Sequence, residues 1–222
     1  LTSEAVLKLE KRLLDDSEYT HPRDVPAEFI EGVKTLSDEE AMELASQLFM
    51  QTEWRYYWPS VVVFNNHPTA RTKITAQYLG PLGDRMDTWG LVDAFSAIAG
   101  PAWREGYISD ETVIGWTKSE SRWWRRAALV CTVFLNRKAR GGRGDTPRTL
   151  MVCKVLASDK DDMVAKGMSW ALRDLSKRDP EAVEKFVEKY SDELPALVKR
   201  EVRNKLTLGV KNPRRKKVST NI

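Results

Sequence analysis

The chain has 222 residues, 41% of them hydrophobic, and a formal net charge of +4, enough material for one sizeable core or one short repeat array. No apolar run approaches the ~20 residues needed to cross a bilayer. The opening residues lack a signal-peptide pattern, so a soluble, cytoplasmic protein without membrane contact is expected. With two cysteines (Cys131 and Cys153), two histidines and no Cys-x-x-Cys, neither a disulfide framework nor a Cys/His zinc site is indicated, and no metal or cofactor is expected.

Charge is unevenly placed. Residues 1–50 carry five Lys/Arg against twelve Asp/Glu, whereas residues 199–222 carry nine against one. A basic end of this kind suits a polyanionic partner, although a solvated tail explains the Pro-Arg-Arg-Lys-Lys run equally well.

In chain order, Val6, Leu9, Leu13 and Leu14 predict an amphipathic helix over Thr2–Asp16. A proline-bearing connector, His21–Pro26, precedes a short helix over Ala27–Leu36. Ser37 followed by Glu40 is a capping box for the next helix, with Ala41, Leu44, Ala45, Leu48 and Phe49 inward. Glu53–Asn66 is apolar and aromatic. Without a hairpin signal it reads as helix, with Pro59 in a first turn or at a kink. A further helix is expected over Pro68–Leu79, then a turn at Gly80–Asp84.

Thr88–Ala99 reads as a helix stopped by Gly100-Pro101. A short helix covers Ser109–Thr117, and Ser119 is the expected N-cap of Glu120–Arg137. The loop Ala139–Asp145 is basic and glycine-rich but lacks the Gly-Lys-Ser/Thr of a phosphate cradle. Thr146, with Pro147 behind it, opens the next helix. Helices over Asp161–Lys177, Pro180–Tyr190 and Leu194–Leu206 complete an all-α chain. About a dozen short helices on short turns favour stacked pairs, an α-solenoid, over a bundle. The whole of 1–222 reads as one domain, with 1–36 as variable N-terminal helices and 209–222 as a basic tail.

Asp-Thr-Trp-Gly-Leu-Val-Asp, residues 87–93, is the stretch most charged with chemistry. Trp89 and Asp93 lie four apart and so share a helix face. An indole and a carboxylate together suit a cation. Asp93 interrupts an otherwise apolar helix, and a buried carboxylate is costly unless paired, so it needs a cationic partner or a groove. Arg-Trp-Trp-Arg-Arg, residues 122–126, supplies Trp123, Arg125 and Arg126. Adjacent arginines point about 100° apart, so Arg125 and Arg126 serve different roles. Trp170, in Gly-Met-Ser-Trp-Ala-Leu-Arg-Asp-Leu, taken alone reads as core. Core also accounts for Trp54, Trp103, Trp116 and Trp124.

Taken in order, Trp-x-x-x-Asp, Trp-x-Arg-Arg-Ala-Ala (with Trp123 at its head) and Gly-x-x-Trp-x-Leu-Arg-Asp resemble the AlkD-like DNA alkylation repair family, over roughly residues 40–208. The resemblance implies stacked HEAT-like repeats with a concave basic groove that grips duplex DNA. It further implies DNA glycosylase activity, hydrolysing the N-glycosidic bond of cationic N3- and N7-alkylated purines such as 3-methyladenine and 7-methylguanine. It places the catalytic carboxylate on Asp93 and substrate contacts on Trp89, Arg126 and Trp170, with Trp123 and Arg125 as neighbouring DNA-binding candidates. It also implies that the base need not enter an enclosed pocket. A monomer acting on alkylated double-stranded DNA, cytoplasmic and nucleoid-associated, is the corresponding expectation.

Three features depart from that pattern. No aromatic groove residue aligns near the N-terminus, where Tyr19 is a candidate. The first fifty residues are acidic where a DNA clamp would be neutral or basic. The basic loop at 139–145 resembles an insertion that adds a phosphate contact. The alternatives are a non-catalytic repeat protein that recognises branched or distorted DNA, and a protein–protein scaffold, in which the Trp/Arg/Asp set would be scattered.

Overall fold

A computed structural model describes residues 3–15, 19, 21 and 24–213. Among these every regular element is helical. The helices are α1 (Glu4–Leu14), α2 (Ala27–Thr35), α3 (Asp38–Phe49), α4 (Trp54–Tyr57), α5 (Pro59–Asn66), α6 (Ala76–Asp84) and α7 (Trp89–Arg104). They continue as α8 (Asp110–Thr117), α9 (Arg122–Asn136), α10 (Thr146–Val155), α11 (Asp162–Leu175), α12 (Pro180–Lys189) and α13 (Ala196–Leu208). Residues at both edges of the expected first helix, Thr2 and Asp16, and the Arg-Arg-Lys-Lys run at 214–217 lie outside the described residues.

Packing is sequential. Helices α3, α5, α7, α9, α11 and α13 each contact the next to form one row. Helices α6, α8, α10 and α12 back that row, α6 on α7, α8 on α9, α10 on α9 and α11, and α12 on α11 and α13. This is the α-solenoid expected from short helices on short connections. No helix among the described residues is long and apolar enough to cross a membrane.

Local chemistry sets most boundaries. The Ser37–Glu40 capping box forms in both directions, at 3.2 and 2.9 Å. Pro59 opens α5, where the missing N–H costs nothing. Other boundaries moved. The segment expected as one helix over Pro68–Leu79 is a 3-10 turn, Ala70–Lys73, followed by α6. The Gly80–Asp84 run expected as a turn is the second half of α6, where Leu82 and Gly83 are buried. The cap of α9 is Ser121 rather than Ser119, and that of α10 is Asp145, with Thr146 as the first helical residue.

Helix α7 also overruns its expected stop, passing through Gly100-Pro101 to Arg104. The reason is tertiary: a Cβ on Gly100 would stand 2.9 Å from Phe134 Cβ and 3.0 Å from the Cys131 carbonyl oxygen. Glycine lets α7 and α9 approach this closely, and the burial gained there outweighs the hydrogen bond missing at Pro101. Trp103, completely buried beyond the proline, donates its indole N–H to Asp110 at 2.8 Å.

Candidate functional site

The site begins at a helix start. Thr88 caps α7, its hydroxyl accepting from Leu91 N–H at 3.3 Å. Trp89 is therefore the first helical residue, with its indole standing out from the fold, 61% exposed. One turn on, the Asp93 side chain is 19% exposed. Across the α7–α9 contact Arg126, itself 6% exposed, donates from Nη2 to Asp93 Oδ1 at 3.1 Å. Its other terminal nitrogen, Nη1, donates to the Met163 carbonyl at the start of α11, at 2.9 Å. One guanidinium thus ties three successive helices of the row. It fits because α11 has Gly167 there, where a Cβ would already touch Arg126 Cγ at 3.4 Å.

Trp170 enters from α11. Its indole N–H donates to Asp174 Oδ2 at 2.8 Å, and the Arg137 guanidinium lies 5.4 Å from the ring centre. Asp174 is 2% exposed and also takes Arg137 Nη2 at 3.0 Å and Lys177, so its charge is compensated. The buried carboxylate fixes the plane of the indole.

Trp89, Asp93, Arg126 and Trp170 line one pocket of about 390 Å³, together with Met163, Lys166, Arg173 and Lys211. Four cations face one carboxylate, although Lys166 is also held by Asp162 at 2.6 Å. Trp89 and Asp93 also border a second, larger cleft of about 960 Å³ with Tyr57, Trp58, Val61, Asn65 and Arg140 among its walls. A lone carboxylate in a cationic pocket suits a ligand that combines local positive charge with flanking anions.

Burial pushes the Asp93 carboxyl above the usual carboxylate range, with Arg126 pulling the other way. Arg126 engages Oδ1 alone, leaving Oδ2 without a hydrogen-bond donor among the described residues. Tyr57, buried against the same turn of α7, has its hydroxyl pushed upward by burial and by the charges of Asp87 and Asp93.

The remaining sequence candidates lie elsewhere. Arg125 points away, as the 100° offset requires, bonding Asp159 at 2.7 Å and the Ser119 and Glu120 carbonyls. Trp123 is half-buried beneath the Arg122 guanidinium, 4.7 Å from its centre, and does not line the pocket. Tyr19 is a correction: it is 1% exposed, with its hydroxyl donating to the Arg55 carbonyl, so it belongs to the core and offers no groove face. Trp54, expected in the core, is 51% exposed and meets His21 edge-on at 5.3 Å. Sequence reasoning missed Met163, Lys166, Arg173 and Lys211. Of these, Lys166 and Arg173 had a signal, four residues before and three after Trp170 on the same helix.

The glycine-rich loop is anchored rather than loose. Arg104 donates to the Phe134 and Arg140 carbonyls at 3.1 and 2.8 Å, and Arg178 donates to the Asn136 and Gly142 carbonyls at 2.9 and 2.8 Å. Gly141 and Gly144, at φ +80° and +100°, make its turns possible. No group of His, Cys, Asp and Glu side chains among the described residues is arranged to hold a metal ion.

Comparison with known proteins gives a family match and a likeness of fold. A family model described as DNA alkylation repair enzyme matches residues 22–206. A solved structure described as a predicted DNA alkylation repair enzyme from Enterococcus faecalis superimposes with a TM-score of 0.67. The match spans 92% of this chain and 95% of that one at 16% identity, a likeness of fold. No curated protein matches the sequence.

Proposed function

The chain belongs to the DNA alkylation repair enzyme family, and from that membership and the pocket's geometry we propose that it is a monofunctional DNA glycosylase. Its substrates on this reading are cationic N3- and N7-alkylated purines, such as 3-methyladenine and 7-methylguanine, in duplex DNA. The protein acts as a monomer. The observation that carries the proposal is the placement of Asp93, paired with Arg126, in one pocket with the indoles of Trp89 and Trp170.

The chemistry follows from what such a lesion needs. An alkylated purine already carries positive charge and departs readily, so no strong general acid is required. The remaining barrier is the oxocarbenium character that grows on the deoxyribose as the C1′–N bond breaks. A carboxylate ~4 Å from that charge contributes about 4 kcal/mol at an effective dielectric near 20. At ~1.4 kcal/mol per decade this is roughly a thousandfold in rate. Asp93 Oδ2 is the oxygen left to receive a proton from the attacking water, while Arg126 holds Oδ1 and so fixes the orientation of the carboxylate. The indole faces of Trp89 and Trp170 favour the same developing cation. Arg173 supplies positive charge for a flanking phosphate.

The test is direct. Purified protein incubated with methylated duplex should free 7-methylguanine and leave abasic sites. A protein that binds duplex tightly without releasing any base is instead the non-catalytic reader of distorted DNA, with Asp93–Arg126 serving only as an ion pair between helices.

A further inference from the structure

One buried acid near the pocket has no part in that chemistry. Glu201 on α13 is 4% exposed and accepts from Ser169 Oγ at 2.6 Å. Arg173 Nε donates to the same Ser169 hydroxyl at 3.1 Å and lies 3.9 Å from the Glu201 carboxylate. On its other side Lys211 Nζ lies 3.4 Å from Glu201 Oε1. A buried carboxylate requires a cation, and Glu201 has two. One positive charge is therefore left over, and both cations border the pocket that holds Asp93.

Lys211 reaches this position because the chain turns back after α13. Gly209, at φ +71°, ends the helix. Lys205 Nζ holds the Gly209 carbonyl at 2.5 Å, and Asn204 Nδ2 holds the Lys211 carbonyl at 3.1 Å. The Lys211 side chain is still 45% exposed, so it remains open to an incoming group.

We propose that Lys211 is a phosphodiester-binding residue of this pocket, positioned by Glu201. This rests on the reading of the groove as a DNA surface, not on base excision. Without Glu201, Lys211 and Arg173 are like charges in one pocket, and the Lys211 ammonium loses its ion pair.

The experiment measures binding of the 222-residue chain to an unmodified duplex across a salt series. For every phosphate the protein no longer neutralises, the slope of log K against log salt becomes shallower by about 0.9. Lys211→Ala should flatten it by about one such unit, Lys211→Arg should keep it, and Lys185→Ala, whose lysine pairs with Glu181 on α12, should change nothing. In a Glu201→Gln background Lys211→Ala should cost less than in the wild type, the non-additivity that a merely structural Glu201 would not produce. An unchanged slope for Lys211→Ala, with wild-type protein binding normally, overturns the proposal and leaves the glycosylase reading intact. If Lys211→Ala flattens the slope but wild-type protein frees no base, the glycosylase reading falls and this proposal stands. Absence of any duplex binding removes both.

Discussion

Asp93 and Arg126 are 33 residues apart in sequence and meet at 3.1 Å between Oδ1 and Nη2, with the guanidinium nearly buried and the carboxylate partly open. The pair joins two helices, yet it also borders the pocket that holds both indoles. An ion pair needed only for packing would do its work equally well in the interior. Its position at a cavity wall gives it a second use, and the following outcomes separate the two.

Asp93→Asn keeps the shape of the side chain and removes its charge. Base release from methylated duplex should fall by roughly a thousandfold, the value of a carboxylate ~4 Å from an oxocarbenium centre. Duplex binding should persist or tighten, because the pocket loses its one negative group. Single-turnover kinetics with a parallel binding titration reads both quantities, and normal excision by the variant would remove Asp93 from the mechanism.

The acid limb of the pH profile should also be displaced. Burial raises the Asp93 pKa, and only the ionised form stabilises a cationic sugar. Activity therefore falls as pH drops through that raised value, at a pH above the ordinary Asp range near ~3.9. Arg126 opposes the shift, so Arg126→Met should move the limb to still higher pH. A limb at or below the ordinary value in the wild type would contradict the burial of this group.

Two tryptophans should part company when each is replaced by alanine. Trp103 is completely buried and hydrogen-bonded to Asp110, so its loss should cost about 3–5 kcal/mol of stability. Trp89 is 61% exposed, and its loss should change stability by less than about 1 kcal/mol while lowering excision. Urea denaturation alongside base release distinguishes the structural indole from the one at the pocket.

Two glycines make a similar contrast. Gly100→Ala would press a methyl group against Phe134 and the Cys131 carbonyl, for a loss of about 1–3 kcal/mol. Gly115, inside α8, has open space around the same position, and Gly115→Ala should gain about 0.5–1 kcal/mol from helix propensity alone. Thermal melts of the two variants should move in opposite directions.

Helicity, and the place where most helices begin, could be read from the order of residues alone. Caps such as Ser37 and the prolines at 59 and 180 act within one turn, and apolar spacing is a local property. The same local geometry puts Trp89 and Asp93 on one face and keeps Arg125 and Arg126 from sharing a task, because both follow from 3.6 residues per turn. The rest had to wait for packing. Whether Gly100-Pro101 stops a helix depends on what α9 presses against it, and whether Tyr19 is core or groove depends on the carbonyl of Arg55. Lys211 was invisible as a site residue because its place depends on a turn after α13 and on a buried acid ten residues earlier. Contacts between distant segments carry no periodicity, and only packing selects which charges end up facing the same cavity.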